Sequence, residues 1–301
     1  GYDGSGKQLQ SAIVVMNPYT GEIMGLSGGV GEKTVRFGTN RATGSKRPPG
    51  SSFKPLATYG PAMDLGLITQ YTEVNDSPNI VLSGIPWWYP RNAGGGNIGP
   101  TNIRNALRLS LNTVSAQILD KLGIETSIDY LENHLGITSL VDGDHAYAPL
   151  SLGQLTEGIT VREMCQAYCS FVNDGVFTYA RTYTMITDAN GNVVIDNQPK
   201  TIQAWKANTA WNMLDMMKNA VNAGTGTEAR LGFMPVAGKT GTTSDSKDRY
   251  FVGCTPYYVA AVWTGYDMPS YMGFSGNPAV QLWKKVMGPI HENLEWKDFP
   301  T

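Results

Sequence analysis

Three short motifs carry side chains suited to nucleophilic chemistry at a serine. Ser51 and Lys54 lie in "SSFKP", Ser110 and Asn112 in "SLN", and Lys239 opens "KTGT". A serine hydroxyl is a weak nucleophile until a neighbouring base takes its proton. At i and i+3 on a helix, Cβ atoms are about 5–6 Å apart, so the Lys54 amine can reach the Ser51 hydroxyl. The amine acts as a base only when neutral, and moving its pKa from about 10.4 to 7–8 requires about 4 kcal/mol. Burial and a second cation both push in that direction, and Lys239 is the candidate for that cation. Ser51 follows a Pro-Pro-Gly loop and heads a helical stretch, with Pro55 in a first turn that has no use for its missing N–H. The Ser51 N–H is then available to an oxyanion.

Each motif taken alone is weak. S-x-x-K is expected about once by chance in a chain of this length, and it occurs twice, at Ser51–Lys54 and Ser244–Lys247. Ser51 and Lys54 also read as a capping serine and a solvated lysine. S-x-N occurs at Ser77, Ser110 and Ser275, whereas K-T-G occurs once against a chance expectation of about 0.1. Context favours one match of each. Ser244 lies in the polar loop "TTSDSKDR", Ser77 precedes Pro78, and Ser275 falls in a Gly-rich loop.

Residues i and i+2 do not share a helix face. Ser110 and Asn112 can therefore face one cleft only if the helical pattern over 103–122 breaks there; the alternative is an unbroken helix with two polar surface residues. In "GKTGTT", Gly241 leaves room for another backbone. Lys239, Thr240 and Thr242 offer a cation and two hydroxyls to a carboxylate. An edge strand here would let an extended peptide add to the sheet, although Lys and Thr also suit an ordinary edge.

The elements that must position these groups follow from periodicity. "SAIVVMNPYTGEIMGLSGG" (11–29) reads as two strands around a turn at Asn17–Gly21. From Ser51 to about 178 the chain reads as mainly helical, with Ile103, Leu107, Leu111, Val114, Ile118 and Leu122 at helical spacing. Thr160 and Glu163 form a capping-box pattern. Residues 180–197 read as a hairpin, and Ala210, Met213, Leu214, Met217 and Val221 as a helical stripe of core residues. Strands return at 236–242, 249–255 and 257–263, and a helix from Pro278 to about Leu294 follows. Strands at both ends with helices between predict an α+β fold. Its antiparallel sheet is built from both chain ends (about 10–50 and 200–301), with flanking helices and a mainly helical lobe (about 60–178). One domain over 1–301 is expected, with a cleft where sheet and lobe meet.

Composition narrows the function. A net charge of −2 gives no electrostatic footprint for nucleic acid. The apolar run "YYVAAVW" is far shorter than the roughly 20 residues of a membrane helix. Cys165, Cys169 and Cys254 have no metal spacing and read as buried apolar side chains. His134, His145 and His291 lie outside the motifs, leaving a Ser-His-Asp arrangement little support. The aromatic "PWWYP" (86–90) either rims the cleft or, by preference, pins a long loop.

Ser110 follows Ser51 by 59 residues and Lys239 follows Ser110 by 129. In that order the three motifs resemble the set of penicillin-binding proteins and class A β-lactamases. Their surroundings, "NRATGSKRPPGSSFKP", "YPRN", "NALRLSLNTVSAQI", "GTGTEARL" and "GKTGTTSDSKDRYFVGCTPYYVAAVWTGYD", resemble the transpeptidase domain of class A, bifunctional penicillin-binding proteins. The resemblance runs from about residue 10 to 294.

The resemblance implies a serine β-lactamase/transpeptidase-like fold and a peptidoglycan D,D-transpeptidase. Ser51 would be acylated by a stem peptide ending in D-Ala-D-Ala, with Lys54 as general base. Ser110 would relay a proton, Asn112 would hold the substrate amide, and Lys239 would bridge to Ser110. Thr240 and Thr242, with Gly241 between them, would bind the carboxylate, and the N–H groups of Ser51 and Thr242 would form the oxyanion hole. An amine of a second stem peptide would resolve the ester into a cross-link. β-Lactams would acylate Ser51 covalently.

No cofactor or metal is implied. The expected location is the extracytoplasmic face of the bacterial cell membrane, this stretch being soluble and attached only through parts outside it. A glycosyltransferase domain and membrane anchor are not in this sequence. Where the family pattern leads one to expect Ala-Trp before "FVG", Arg249-Tyr250 stand. Three rivals are a D,D-carboxypeptidase, a serine β-lactamase and a penicillin sensor that acylates once. Against a class A β-lactamase, no complete E-x-x-L-N pattern occurs, "ENHLG" (132–136) coming nearest.

Overall fold

Apolar side chains on both faces of β1 (Gln10–Met16) make it an interior strand. Ala12, Val14 and Met16 enter one core, and Ile13 and Val15 the other. This computed structural model describes residues 2, 4–33, 36–273 and 275–300. β2 (Ile23–Ser27) forms a hairpin with β1, and three strands from the far end complete the sheet: β3 (Ala237–Thr242), β4 (Asp248–Cys254) and β5 (Val259–Gly265). The order is β2-β1-β5-β4-β3 with every pairing antiparallel. The sheet is thus assembled from both chain ends, with β3 at one edge.

Five longer helices are used below: α1 (Ile103–Leu109), α2 (Asn112–Leu122), α3 (Val161–Val172), α4 (Ala207–Ala223) and α5 (Pro278–His291). α3 covers one face of the sheet and α5 the other. Trp283 of α5 meets Phe251 of β4 edge-on, with ring centroids 5.4 Å apart. α3 begins at the expected capping box, where Thr160 and Glu163 satisfy each other's backbone N–H groups. The stripe Ala210, Met213, Leu214, Met217 and Val221 is buried, so these methionines are core filler. The three cysteines are buried free thiols. The expected hairpin pairs Met185–Thr187 with Val193–Asp196.

The reading of 51–178 as mainly helical is too broad. Between Leu65 and Asn102 the described backbone has only a strand pair, Glu73–Asp76 with Gly99–Asn102, joined by an irregular segment. Pro78, Pro86, Pro90 and Gly94–Gly96 account for this, since proline removes helical hydrogen bonds and glycine favours turns. "PWWYP" lies in this segment, and Trp88 packs on Tyr147 at 6.3 Å. Among the described residues, no helix is long and apolar enough to cross a membrane.

Candidate active site

The Ser51 turn is wedged between the sheet edge and the helical lobe. Residues Gly50–Phe53 form a tight 3-10 turn, and an i→i+5 turn over Pro55–Tyr59 follows. This is tighter and then wider than the uniform helix the spacing suggests. Three bonds pin the turn. Gly50 N–H donates to Gly153 O at 3.0 Å, Ser52 Oγ to Pro49 O at 2.7 Å, and Tyr168 Oη to Ser52 O at 2.6 Å. Adjacent serines are thereby separated: Ser52 is buried and committed, whereas Ser51 lines a cleft of about 530 Å3. Among the described residues, Ser51 Oγ has no hydrogen-bond partner.

β3 meets this turn closely enough to require glycine. A Cβ on Gly241 would stand 2.0 Å from Pro49 O, and one on Gly50 would stand 2.8 Å from Thr242 N. The space that Gly241 leaves is therefore filled by the chain's own Ser51 turn rather than by a visiting strand. The same contact brings the Thr242 backbone beside Ser51.

The helical pattern over 103–122 breaks where the Ser110–Asn112 spacing requires. α1 ends at Leu109, and Ser110 takes the left-handed conformation (φ 61°) with its N–H on Ala106 O and Leu107 O. α2 then starts at Asn112. Ser110 is thereby turned toward both lysines. Lys54 Nζ donates to Ser110 O at 2.9 Å and to Asn112 Oδ1 at 2.7 Å. Lys239 Nζ donates to Ser110 Oγ at 2.9 Å and to Thr240 O at 3.1 Å. The Lys54 amine thus bonds across the cleft and not to Ser51.

Both amines are fully buried, and neither has a carboxylate at ion-pair distance among the described residues. Burial first, and the charge of Lys239 second, hold Lys54 well below the ordinary lysine value. Burial brings Lys239 down to about 7. A neutral Lys54 has two N–H donors, which Ser110 O and Asn112 Oδ1 occupy, leaving its lone pair to accept a proton.

Asn112 is itself held by the irregular segment. Its N–H donates to Asn92 Oδ1 at 2.7 Å and its Nδ2 to Arg91 O at 2.6 Å. Asn92 Nδ2 in turn donates to Asp76 Oδ1 at 2.8 Å, and Thr113 Oγ1 donates to the same carboxylate oxygen. Asn92 and Asp76 lie outside the three motifs, Asn92 standing in "YPRN"; the signal that links them to the site is a long-range contact, which spacing does not carry. Thr225, in "GTGTEARL", is a similar case, with its hydroxyl 2.8 Å from that of Thr240.

Thr240, Thr242, Ser110 and Asn112 line the same cleft as Ser51. Ser244 also lines it, but on an exposed turn where its Oγ takes a bond from Gln154, and Lys247 turns to Asp245. Arg249 stands across from Thr242 in the register of β4 and β3, and its Nη1 donates to Thr242 Oγ1 at 2.9 Å. Tyr250 is buried, with its hydroxyl on Ile159 O at 3.2 Å. His134, His145 and His291 do not line the cleft. Among the described residues, no cluster of three His, Cys, Asp or Glu side chains could hold a metal ion.

The family model of the penicillin-binding protein transpeptidase domain matches residues 11–288. The chain belongs to this family. Penicillin-binding protein 1A of Clostridium acetobutylicum is 40% identical over 301 residues, covering 97% of this chain and 37% of that protein. Penicillin-binding protein 4 of Bacillus subtilis is 33% identical over 281 residues, covering 93% and 44% respectively. The chain thus spans less than half the length of these curated relatives. PonA1 of Mycobacterium tuberculosis, solved in complex with penicillin V, superposes with a TM-score of 0.83 at 26% identity, covering all of this chain and 82% of that one. Penicillin-binding protein 1A from Haemophilus influenzae gives 0.82 at 23% identity, covering 97% and 49%, and shares the fold.

Proposed function

We propose that the chain is a peptidoglycan D,D-transpeptidase domain working through an ester on Ser51. One observation carries this reading: two buried amines converge on Ser110 at the back of the cleft that Ser51 lines. Ser51 Oγ attacks the carbonyl carbon of the penultimate D-Ala of a stem peptide, and its proton passes to the neutral Lys54 amine. The N–H groups of Ser51 and Thr242 receive the oxyanion. The C–N bond then breaks, and the terminal D-Ala leaves after taking the proton that Lys54 received, with the Ser110 hydroxyl, held by Lys239, as the group that hands it on. An amine of a second stem peptide attacks the ester, gives up a proton along the same route, and restores the Ser51 hydroxyl. Asn112 holds the donor amide, and Thr240 and Thr242 hold its carboxylate. β-Lactams, as the penicillin complex of the PonA1 relative suggests, acylate Ser51 in place of peptide.

Intact-protein mass with benzylpenicillin tests the nucleophile. A stable single adduct is expected, retained in Ser244→Ala and lost in Ser51→Ala. An adduct that clears in seconds indicates a β-lactamase, and none on folded protein refutes the reading. Turnover of a D-Ala-D-Ala peptide with and without an acceptor amine separates a transpeptidase from a carboxypeptidase and from a sensor.

A further inference from the structure

Arg249 places a guanidinium in the cleft where the resemblance leads one to expect an alanine. It faces Thr242 across the β3–β4 pair, in a pairing where neighbouring side chains lie on the same face of the sheet. Arg41, Arg47, Arg104 and Arg181 are each ion-paired to a carboxylate, but Arg249 has no such partner among the described residues. Its Nε is buried and has no acceptor among the described residues. Glu228, the one acid among the described residues that line the cleft, instead accepts from Gln281 at 3.2 Å. Arg91 also lines the cleft but is exposed to water. Burial lowers the pKa of Arg249, the direction expected of a cation without a counter-charge.

A half-buried guanidinium with unused donors suits a planar carboxylate, which it can grip at two points. The bond from Arg249 Nη1 occupies a lone pair of Thr242 Oγ1, so the Thr242 hydroxyl proton must be donated elsewhere. Both groups then offer donors to one anion in the cleft.

Resting on the proposed function above, we infer that Arg249 is a specificity-determining anchor for the free carboxylate of the acyl donor, acting together with Thr242. It favours donors that end in a carboxylate over the same donors capped as amide or ester.

The test compares benzylpenicillin with its methyl ester as acylating agents of wild type, Arg249→Gln and Arg249→Lys. In Arg249→Gln, acylation by the acid is expected to fall about tenfold or more, as for loss of a charged hydrogen bond, while acylation by the ester stays within about twofold. Arg249→Lys is expected to recover part of the preference. In a Ser51→Ala background, calorimetric binding of an N-acyl-D-Ala-D-Ala peptide and its C-terminal amide should show the same contrast without acylation. Equal losses for acid and ester, or no loss for either, would overturn the inference while leaving the transpeptidase reading intact. Wild type that takes neither penicillin nor peptide would refute the proposed function itself, and this inference with it.

Discussion

Lys54 and Lys239 hold opposite ends of one residue: the first bonds the carbonyl of Ser110 and the second its hydroxyl, each at 2.9 Å. Among the described residues neither amine has a neutralising carboxylate, so protonating both would place two uncompensated cations around a single serine. Each is thereby biased toward the neutral form, which a base requires.

That bias has a sign in pH. Lys239 releases its proton at about 7 in the folded chain, and an unfolded lysine at about 10.4. Between these values the unfolded state binds more protons, so stability climbs with pH by up to about 1.4 kcal/mol per unit for one such lysine. Lys54 adds in the same direction. Above about pH 8.5, where unfolded cysteines ionise, the raised Cys169 and Cys254 work oppositely. Urea unfolding should therefore show higher stability at about pH 8.5 than at about pH 7, and Lys239→Met should flatten the difference. Equal slopes in wild type and variant would contradict this account. Ser51 acylation should rise over the same window as more neutral amine becomes available.

Asn92 positions Asn112 without reaching the reacting atoms. Asn92→Ala leaves the Asn112 N–H and the Asp76 carboxylate each one partner short. A loss of about 1–3 kcal/mol in unfolding free energy is expected, together with slower acylation of Ser51. A penicillin titration separates the two effects: a variant folded under assay conditions yet acylated at the wild-type rate would show that Asn92 serves stability alone.

Gly241→Ala introduces a Cβ 2.0 Å from Pro49 O, a backbone atom that cannot swing aside. Overpacking of this kind typically costs about 1–3 kcal/mol. Thermal melts should fall accordingly, and acylation should slow because the displaced segment carries Ser51. A variant within about 0.5 kcal/mol of wild type would mean that the β3 contact is softer than the geometry indicates.

Asp248 ties the loop before Ser51 to the sheet. It accepts from Arg47 Nε and from Trp263 Nε1, each at 2.8 Å, and the Arg47 guanidinium lies over the Trp263 ring. Asp248→Ala leaves a largely buried arginine without its counter-charge, which costs about 3–5 kcal/mol. Chemical denaturation measures this directly, and a loss below about 1 kcal/mol would indicate that water replaces the pair.

Much of the fold was legible because its signals are local. Apolar alternation located the strands and helical spacing located the stripe from Ile103 to Leu122, but the spacing left open whether that stripe breaks at Ser110–Asn112; the left-handed Ser110 decides for a break. The irregular segment before Asn102 departs from the helical lobe expected there, because its prolines and glycines break helices. Residue types, their order and the resemblance of their surroundings singled out candidate groups for serine chemistry. Their partners came only from the tertiary structure: Lys54 with Asn112, Asn92 with Asp76, Arg249 with Thr242, and Gly241 against Pro49. Hydrogen bonding and close packing are pairwise across space, and desolvation of the lysines is a collective effect of everything that covers them. Neither is a property of spacing along the chain.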